Sequence, residues 1–233
     1  MHIPDGFIDG TTSAGAAVVA AGGMGAALRR AGEVLDERRV PLAGLVAAFV
    51  FAVQMLNFPV VSGTSGHLLG GALAAILVGP AVGAVCVSVV LAVQALLFAD
   101  GGLSAIGLNV LNMALVTVFG GYAVFVVLRR LLPRGPSSVV VASGVAAAFS
   151  VVASAAVFTL EYAIGGTGTA AVPTVAGAMV GVHVLIGIGE GIITGLVVGA
   201  VLATRADLVW GARDLGLELE PAAHRPLPER VAS

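Results

Sequence analysis

The chain has 233 residues, 58% of them hydrophobic and only 10% charged, with a formal net charge of −2 and a mean hydropathy of +1.07. A soluble domain carries about 25% charged residues, so a globule facing water on all sides is excluded. Lysine is absent and every basic residue is arginine; a Walker-type phosphate loop requires a lysine, so uphill work needs an ion gradient or another subunit.

In chain order, the opening MHIPDGF at 1–7 has no basic region of the kind that starts a cleaved leader. Apolar runs of about 17–25 residues read as membrane spans, and seven follow, at about 12–28, 41–60, 67–79, 81–98, 103–128, 138–163 and 173–203. The third is short and is expected to be completed by a re-entrant stretch before it. The seventh exceeds what a bilayer needs, which predicts tilting or a break near Gly187-Ile188-Gly189. Residues 1–203 form one membrane domain in this reading, and 204–233 a polar cytoplasmic tail, partly disordered. A short surface helix over 206–219 would place Trp210 near the headgroups, and His224 is read as a solvated bystander. Cys86, the single cysteine, lies in an apolar run and is expected to pack as a small hydrophobe.

The arginines orient these spans. Arg29, Arg30, Arg38 and Arg39 fall between spans one and two, and Arg129, Arg130 and Arg134 between five and six. Arg205, Arg213, Arg225 and Arg230 follow span seven. With the N-terminus outside and the C-terminus inside, all of them face the cytoplasm, as basic residues in loops should. The outer side then holds only the acids Asp5, Asp9, Asp100 and Glu161. The fold class expected is an all-α integral membrane protein, a bundle of about seven transmembrane helices.

Polar groups kept at membrane depth carry the functional signal. The outer loop SGTSGHLLGG at 62–71 can hold irregular backbone, which membranes tolerate only where protein or a cavity surrounds it. It contains Ser65 and one strong ligand, His67. The terminus Met1-His2 lies on the same face. A free α-amine, the next amide nitrogen and the imidazole Nδ1 of a histidine at position 2 chelate one metal through fused five- and six-membered rings, and the His67 imidazole would complete a square of four nitrogens. Such planar sites suit Ni(II) or Cu(II), and the amide must lose its proton. A histidine at position 2 also blocks trimming of the initiator methionine, and Pro4-Asp5-Gly6 supplies a turn that folds the terminus back.

Around this centre, Asp100, Asn109 and Asn112 are read either as hydrogen-bond partners of the ligands or as glue between helices. Gln54 and Asn57 are read as packing groups that cap the unwound loop. His183 and Glu190, seven apart on span seven, form an inner polar pair that is a relay, a second metal stop or purely structural. On span one, Ala16/Ala20, Ala17/Ala21 and Ala21/Gly25 place small residues four apart, a face able to dock a helix of this chain or of another subunit.

These motifs resemble the CbiM/NikM family, the substrate-binding components of energy-coupling factor transporters for cobalt and nickel. MHIPDGF at 1–7, SGTSGHLLGG at 62–71, QALLFADGG at 94–102, LNVLNMA at 108–114 and HVLIGIGEGIITG at 183–195 carry the resemblance in order. It implies an N-terminal segment inserted into the bundle from outside and a metal site made of Met1, His2 and His67. It also implies partners: a transmembrane coupling subunit, two cytoplasmic ATPase subunits and a small accessory membrane subunit, which this chain is too short to carry in fused form. The function expected is capture of Ni(II) or Co(II) as transported ligand at the outer face of a prokaryotic plasma membrane, with no covalent catalysis, no resident cofactor and no nucleic acid. Nickel is preferred because a deprotonated-amide plane suits it best. The rival readings are a proton-coupled secondary transporter working through His183 and Glu190, and an intramembrane metalloenzyme.

Overall fold

Asp9 starts the first helix. Its extended backbone and side chain let Oδ1 accept the Thr12 N–H at 2.8 Å, satisfying one of the donors that a helix start leaves orphaned. In the computed structural model, which describes residues 1–37, 39–60 and 65–216, helix α1 then runs Gly10–Val34 and α2, opened by Pro41, runs Val40–Gln54. The second helix stops at Gln54, short of residue 60. A small antiparallel pair follows, β1 (Phe58–Pro59) against β2 (Ser65–Gly66). Residues 61–64, which include the start of the expected metal loop, lie outside the described residues, as do Arg38 and the end of the expected polar tail, 217–233, with His224, Arg225 and Arg230.

Helix α3 covers only Gly71–Val78, and each of its residues is buried. Eight residues rise about 12 Å, far less than the roughly 30 Å of a hydrocarbon core, so α3 is a plug wrapped by its neighbours. Gly79, at φ +90°, turns the chain into α4 (Pro80–Leu97). Helix α5 is one rod, Ile106–Leu131, whose middle, Val110–Gly120, is wound as a π-helix. Helices α6 (Pro136–Gly165) and α7 (Val172–Arg205) form a long hairpin.

The glycines near 187 explain that hairpin. A Cβ built at Gly191 would lie 2.7 Å from the Gly144 carbonyl oxygen, and one at Gly187 2.8 Å from that of Ala148. Bare backbone lets the two helices touch, and α7 is continuous through Gly187-Ile188-Gly189 rather than broken there. Beyond Arg205 the chain makes two 3₁₀ turns, Ala206–Leu208 and Trp210–Leu215, in place of the expected surface helix. Val209, Gly211 and Ala212 of this segment are buried against the bundle.

Five of the helical rods, α1, α4, α5, α6 and the rod that begins with α7, are long and apolar enough to cross a membrane; α2 is apolar but shorter. The chain is a multi-pass membrane protein. Its two ends differ chemically. Arg39 and Arg213 flank the Trp210 ring and Arg129 pairs with Asp214 at one end. The N-terminal segment, Ser65 and Asp100 meet at the other. Cys86 is buried between α4 and the Ala43 carbonyl, as expected of a small core residue.

Candidate metal centre

The first nine residues are a folded plug. Phe7 N–H donates to the Pro4 carbonyl at 3.3 Å, and Gly6 takes the positive φ of +74° that closes the Pro-Asp-Gly turn. Two sets of backbone bonds then hold the segment. Gly102 N–H donates to the Ile3 carbonyl at 2.8 Å; on the other side Asp9 N–H reaches Gly165 at 2.7 Å and Thr167 N–H reaches Phe7 at 3.1 Å. Asn109 clasps Ile3 at both ends, its Oδ1 accepting the Ile3 N–H at 2.7 Å and its Nδ2 donating to the Ile3 carbonyl at 3.2 Å. Asp5 Oδ1 accepts from the Ser104 amide and hydroxyl at 2.7 and 2.6 Å, which lowers its pKa. Phe7 stacks between Phe158 and Tyr162.

The consequence is that Met1 and His2 are buried, at 0% and 4% exposure. The Met1 amine lies 3.4 Å from Ser65 Oγ. Burial holds this amine well below its ordinary pKa, which favours the neutral, ligating form. The His2 and His67 rings approach to 4.6 Å between centroids. Gly101, at φ +93°, leaves room for the His2 ring; a Cβ there would come within 3.2 Å of it.

The hydrogen bonds fix how each ring is presented. His2 Nε2 faces Gln94 Oε1 at 3.1 Å; in the tautomer that donates there, Nδ1 keeps its lone pair. Burial lowers the His2 pKa and keeps the ring neutral. Nδ1 lies 3.1 Å from Asp100 Oδ1, a carboxylate that draws a proton to this nitrogen unless a metal ion takes its place. Two electron-rich atoms at that separation favour a cation between or beside them. His67 donates from Nδ1 to the Leu68 carbonyl at 2.8 Å, so its lone pair is on Nε2, which is buried and has no partner among the described residues. A histidine anchored by one nitrogen with the other bare is the usual form of a metal ligand.

The remaining polar residues fall into place around this cluster. Asn57 donates to Asp100 Oδ2 at 3.2 Å, and Gln54 to the Leu69 carbonyl at 2.7 Å. Asn112 Nδ2 donates to Glu161 at 2.6 Å, while its backbone carbonyl accepts from Ser154, whose hydroxyl also lies 3.8 Å from the Met1 sulfur. Glu161, expected in an outer loop, is thus buried within α6. His183 and Glu190 share no hydrogen bond: seven residues span about 10 Å of helix. His183 donates to the Met179 carbonyl at 2.7 Å. Glu190 accepts the amides of Leu69 and Gly70 at 2.5 and 2.9 Å, so it grips the loop just beyond His67. On α1, Ala16 and Ala20 are buried, whereas Ala17, Ala21 and Gly25 are exposed. Gln94 is a histidine partner that the sequence reading does not name; its signal is a lone amide in the last turn of an apolar helix.

A family model described as "Cobalt uptake substrate-specific transmembrane region", CbiM, matches residues 2–208. The chain belongs to the CbiM family. A Haloquadratum walsbyi relative named for metal transport is 40% identical over 216 residues, 90% of this chain and 94% of its own length. An Archaeoglobus fulgidus relative named as a fused nickel transport protein, NikMN, is 40% identical over 213 residues, 90% of this chain and 68% of its own. A crystal structure of a truncated transition metal transporter superposes with a TM-score of 0.77 at 30% identity, covering 87% of this chain and 99% of that one. A CbiM-family fold therefore frames the buried amine and the two imidazoles.

Proposed function

We propose that this CbiM-family protein is the substrate-binding membrane component of a cobalt or nickel uptake system, with Met1, His2 and His67 as the ligands of its cargo. The observation that carries the reading is the bare Nε2 of His67, buried and without a partner among the described residues, in a ring packed against His2. The amine and amide of the terminus, His2 Nδ1 and His67 Nε2 make a four-nitrogen donor set. Ni(II) fits that set best, because it drives amide deprotonation and prefers a plane; Co(II) is the alternative cargo. Asp100, beside His2 Nδ1, balances the charge of an arriving ion.

In this reading the N-terminal end faces outward and the arginine-bearing end faces the cytoplasm, with α2 and the buried α3 completing seven passes or part-passes of a plasma membrane. Energy comes from two ATPase subunits through a transmembrane coupling subunit, assisted by a small accessory membrane subunit. The exposed Ala21 and Gly25 of α1 are offered to the coupling helices, whereas Ala17 packs against Gly107 of α5. Reconstituted vesicles test the coupling. Uptake of Ni(II) or Co(II) that requires the ATPase subunits and ATP supports it; uptake by this chain alone under a proton gradient contradicts it and favours a secondary transporter.

A further inference from the structure

The arginine-bearing end holds a basic cavity of about 510 Å³ between α5, the turn at 132–135 and the 3₁₀ segment. Arg129, Arg130, Arg134 and Arg213 line it, with Asp214 as the one acid. Arginines in cytoplasmic loops need no special explanation, but Arg129 does. Its side chain is only 7% exposed. It is fixed by bonds to Ser138 at 2.6 Å and Asp214 at 2.9 Å, and its Nε is buried without a partner among the described residues. Arg213 is laid flat on Trp210, 3.2 Å from the ring centroid.

Two other cavities adjoin it in series through shared lining residues. A cleft of about 330 Å³, floored by Ser137 and Ser138, shares Leu132 and Arg134 with it. An apolar groove of about 670 Å³ between α6 and α7 shares Val141 with that cleft. The groove runs from Val140 to Ala148 on α6, about 12 Å along the axis, or most of one leaflet's share of a roughly 30 Å core. The sequence of linings is cationic, then hydroxyl-bearing, then apolar.

We propose that this composite surface binds one anionic glycerophospholipid. The phosphodiester sits among the arginines, the glycerol ester region lies along Ser137 and Ser138, and an acyl chain fills the α6–α7 groove. Guanidinium groups match phosphate oxygens in geometry as well as charge, and basic pockets between membrane helices select such headgroups. The site lies at the opposite end of the bundle from the histidines and does not depend on the metal reading.

Native mass spectrometry of the detergent-purified chain with phosphatidylglycerol or phosphatidylcholine tests this, with the thermal melt of each variant in lipid-free detergent as a check that it is folded. The wild type should retain phosphatidylglycerol at least tenfold better. The double variant Arg130→Gln, Arg134→Gln should weaken that retention roughly 30-fold, at about 1 kcal/mol per arginine. Gly199→Leu, whose Cβ meets only Val140 at 3.5 Å, should weaken long-chain phosphatidylglycerol but leave the deacylated headgroup unaffected. Equal retention of the neutral lipid, indifference to both variants, or inorganic phosphate competing at the lipid's own affinity would each overturn the proposal.

Discussion

Glu190, in the middle of the longest helix, accepts the backbone N–H of Leu69 at 2.5 Å, two residues beyond His67. A second bond, from Gly70 at 2.9 Å, makes the grip bidentate. The loop that presents one imidazole is thereby tied to a rod of 34 residues that ends at Arg205. Whatever moves that rod also moves the loop that carries His67.

Glu190→Gln breaks half of this grip, because an amide accepts at only one of its two ends and sets an NH₂ against a backbone N–H. Metal affinity should fall about 10- to 100-fold, the usual effect of losing a residue that orients a ligand. Stability should drop by about 2 kcal/mol, the scale of one hydrogen bond to a buried charge. Isothermal titration with Ni(II) and a thermal melt of the ion-free protein read the two effects separately. Unchanged affinity would mean that Glu190 only packs the helix.

Asn109→Ala removes both contacts that clasp Ile3 and leaves a backbone N–H short of one partner, at a cost of about 1–3 kcal/mol. The plug should then leave its socket part of the time. An amine-reactive label should reach Met1 faster in the variant than in the wild type, and Ni(II) should slow the labelling in both.

The buried amine makes a prediction about protons. An ordinary α-amine, near pKa 8.0, would release most of a proton on binding metal at pH 7.5. Burial lowers the Met1 amine well below that value and lowers His2 below 6.5, so both groups are already neutral. Metal uptake at pH 7.5 should therefore release about one proton, from the His2 amide, and affinity should fall about tenfold per unit as pH drops. The dependence should steepen at lower pH, once the amine and imidazoles begin to hold protons. Titration calorimetry in buffers of different ionisation enthalpy counts the protons; two at pH 7.5 would mean the amine is solvated.

The α6–α7 crossing predicts a contrast between neighbouring glycines. Gly191→Ala places a methyl against the Gly144 carbonyl, whereas a Cβ at Gly189 meets nothing within 4 Å. The first should destabilise by about 1–3 kcal/mol through forced overpacking. The second should be neutral or stabilising by up to about 1 kcal/mol from helix propensity. Thermal melts of the two variants check this.

Much of this was legible in the sequence as local chemistry. Met1-His2 and His67 stand out among apolar runs as candidate ligands and are buried side by side, and Pro4-Asp5-Gly6 gives the turn expected of it. What could not be read was register between distant segments. Gln94 stands against His2 and Asn109 against Ile3 only because α4 and α5 pack with one particular rotation, which no periodicity encodes. His183 and Glu190 share a helix face in sequence, yet the nearer backbone donors of the His67 loop claim Glu190. The run at 67–79 is apolar enough to suggest a span, but hydropathy does not distinguish lipid from a protein interior, and α3 is buried in the latter. The glycines at 187 and 189 read as a break; contact with bare backbone on α6 at Gly187 and Gly191 turned the same composition into a close crossing.

Adding residues ahead of Met1 and measuring Ni(II) affinity against the unextended protein shows whether the chain's own terminus holds the cargo. The extension leaves every side chain in place but replaces the buried amine with an amide and pushes His2 from its pocket. Affinity should fall at least a hundredfold, and the visible absorption band of a planar nitrogen-bound nickel should disappear. Equal affinity and the same band in both proteins would contradict it.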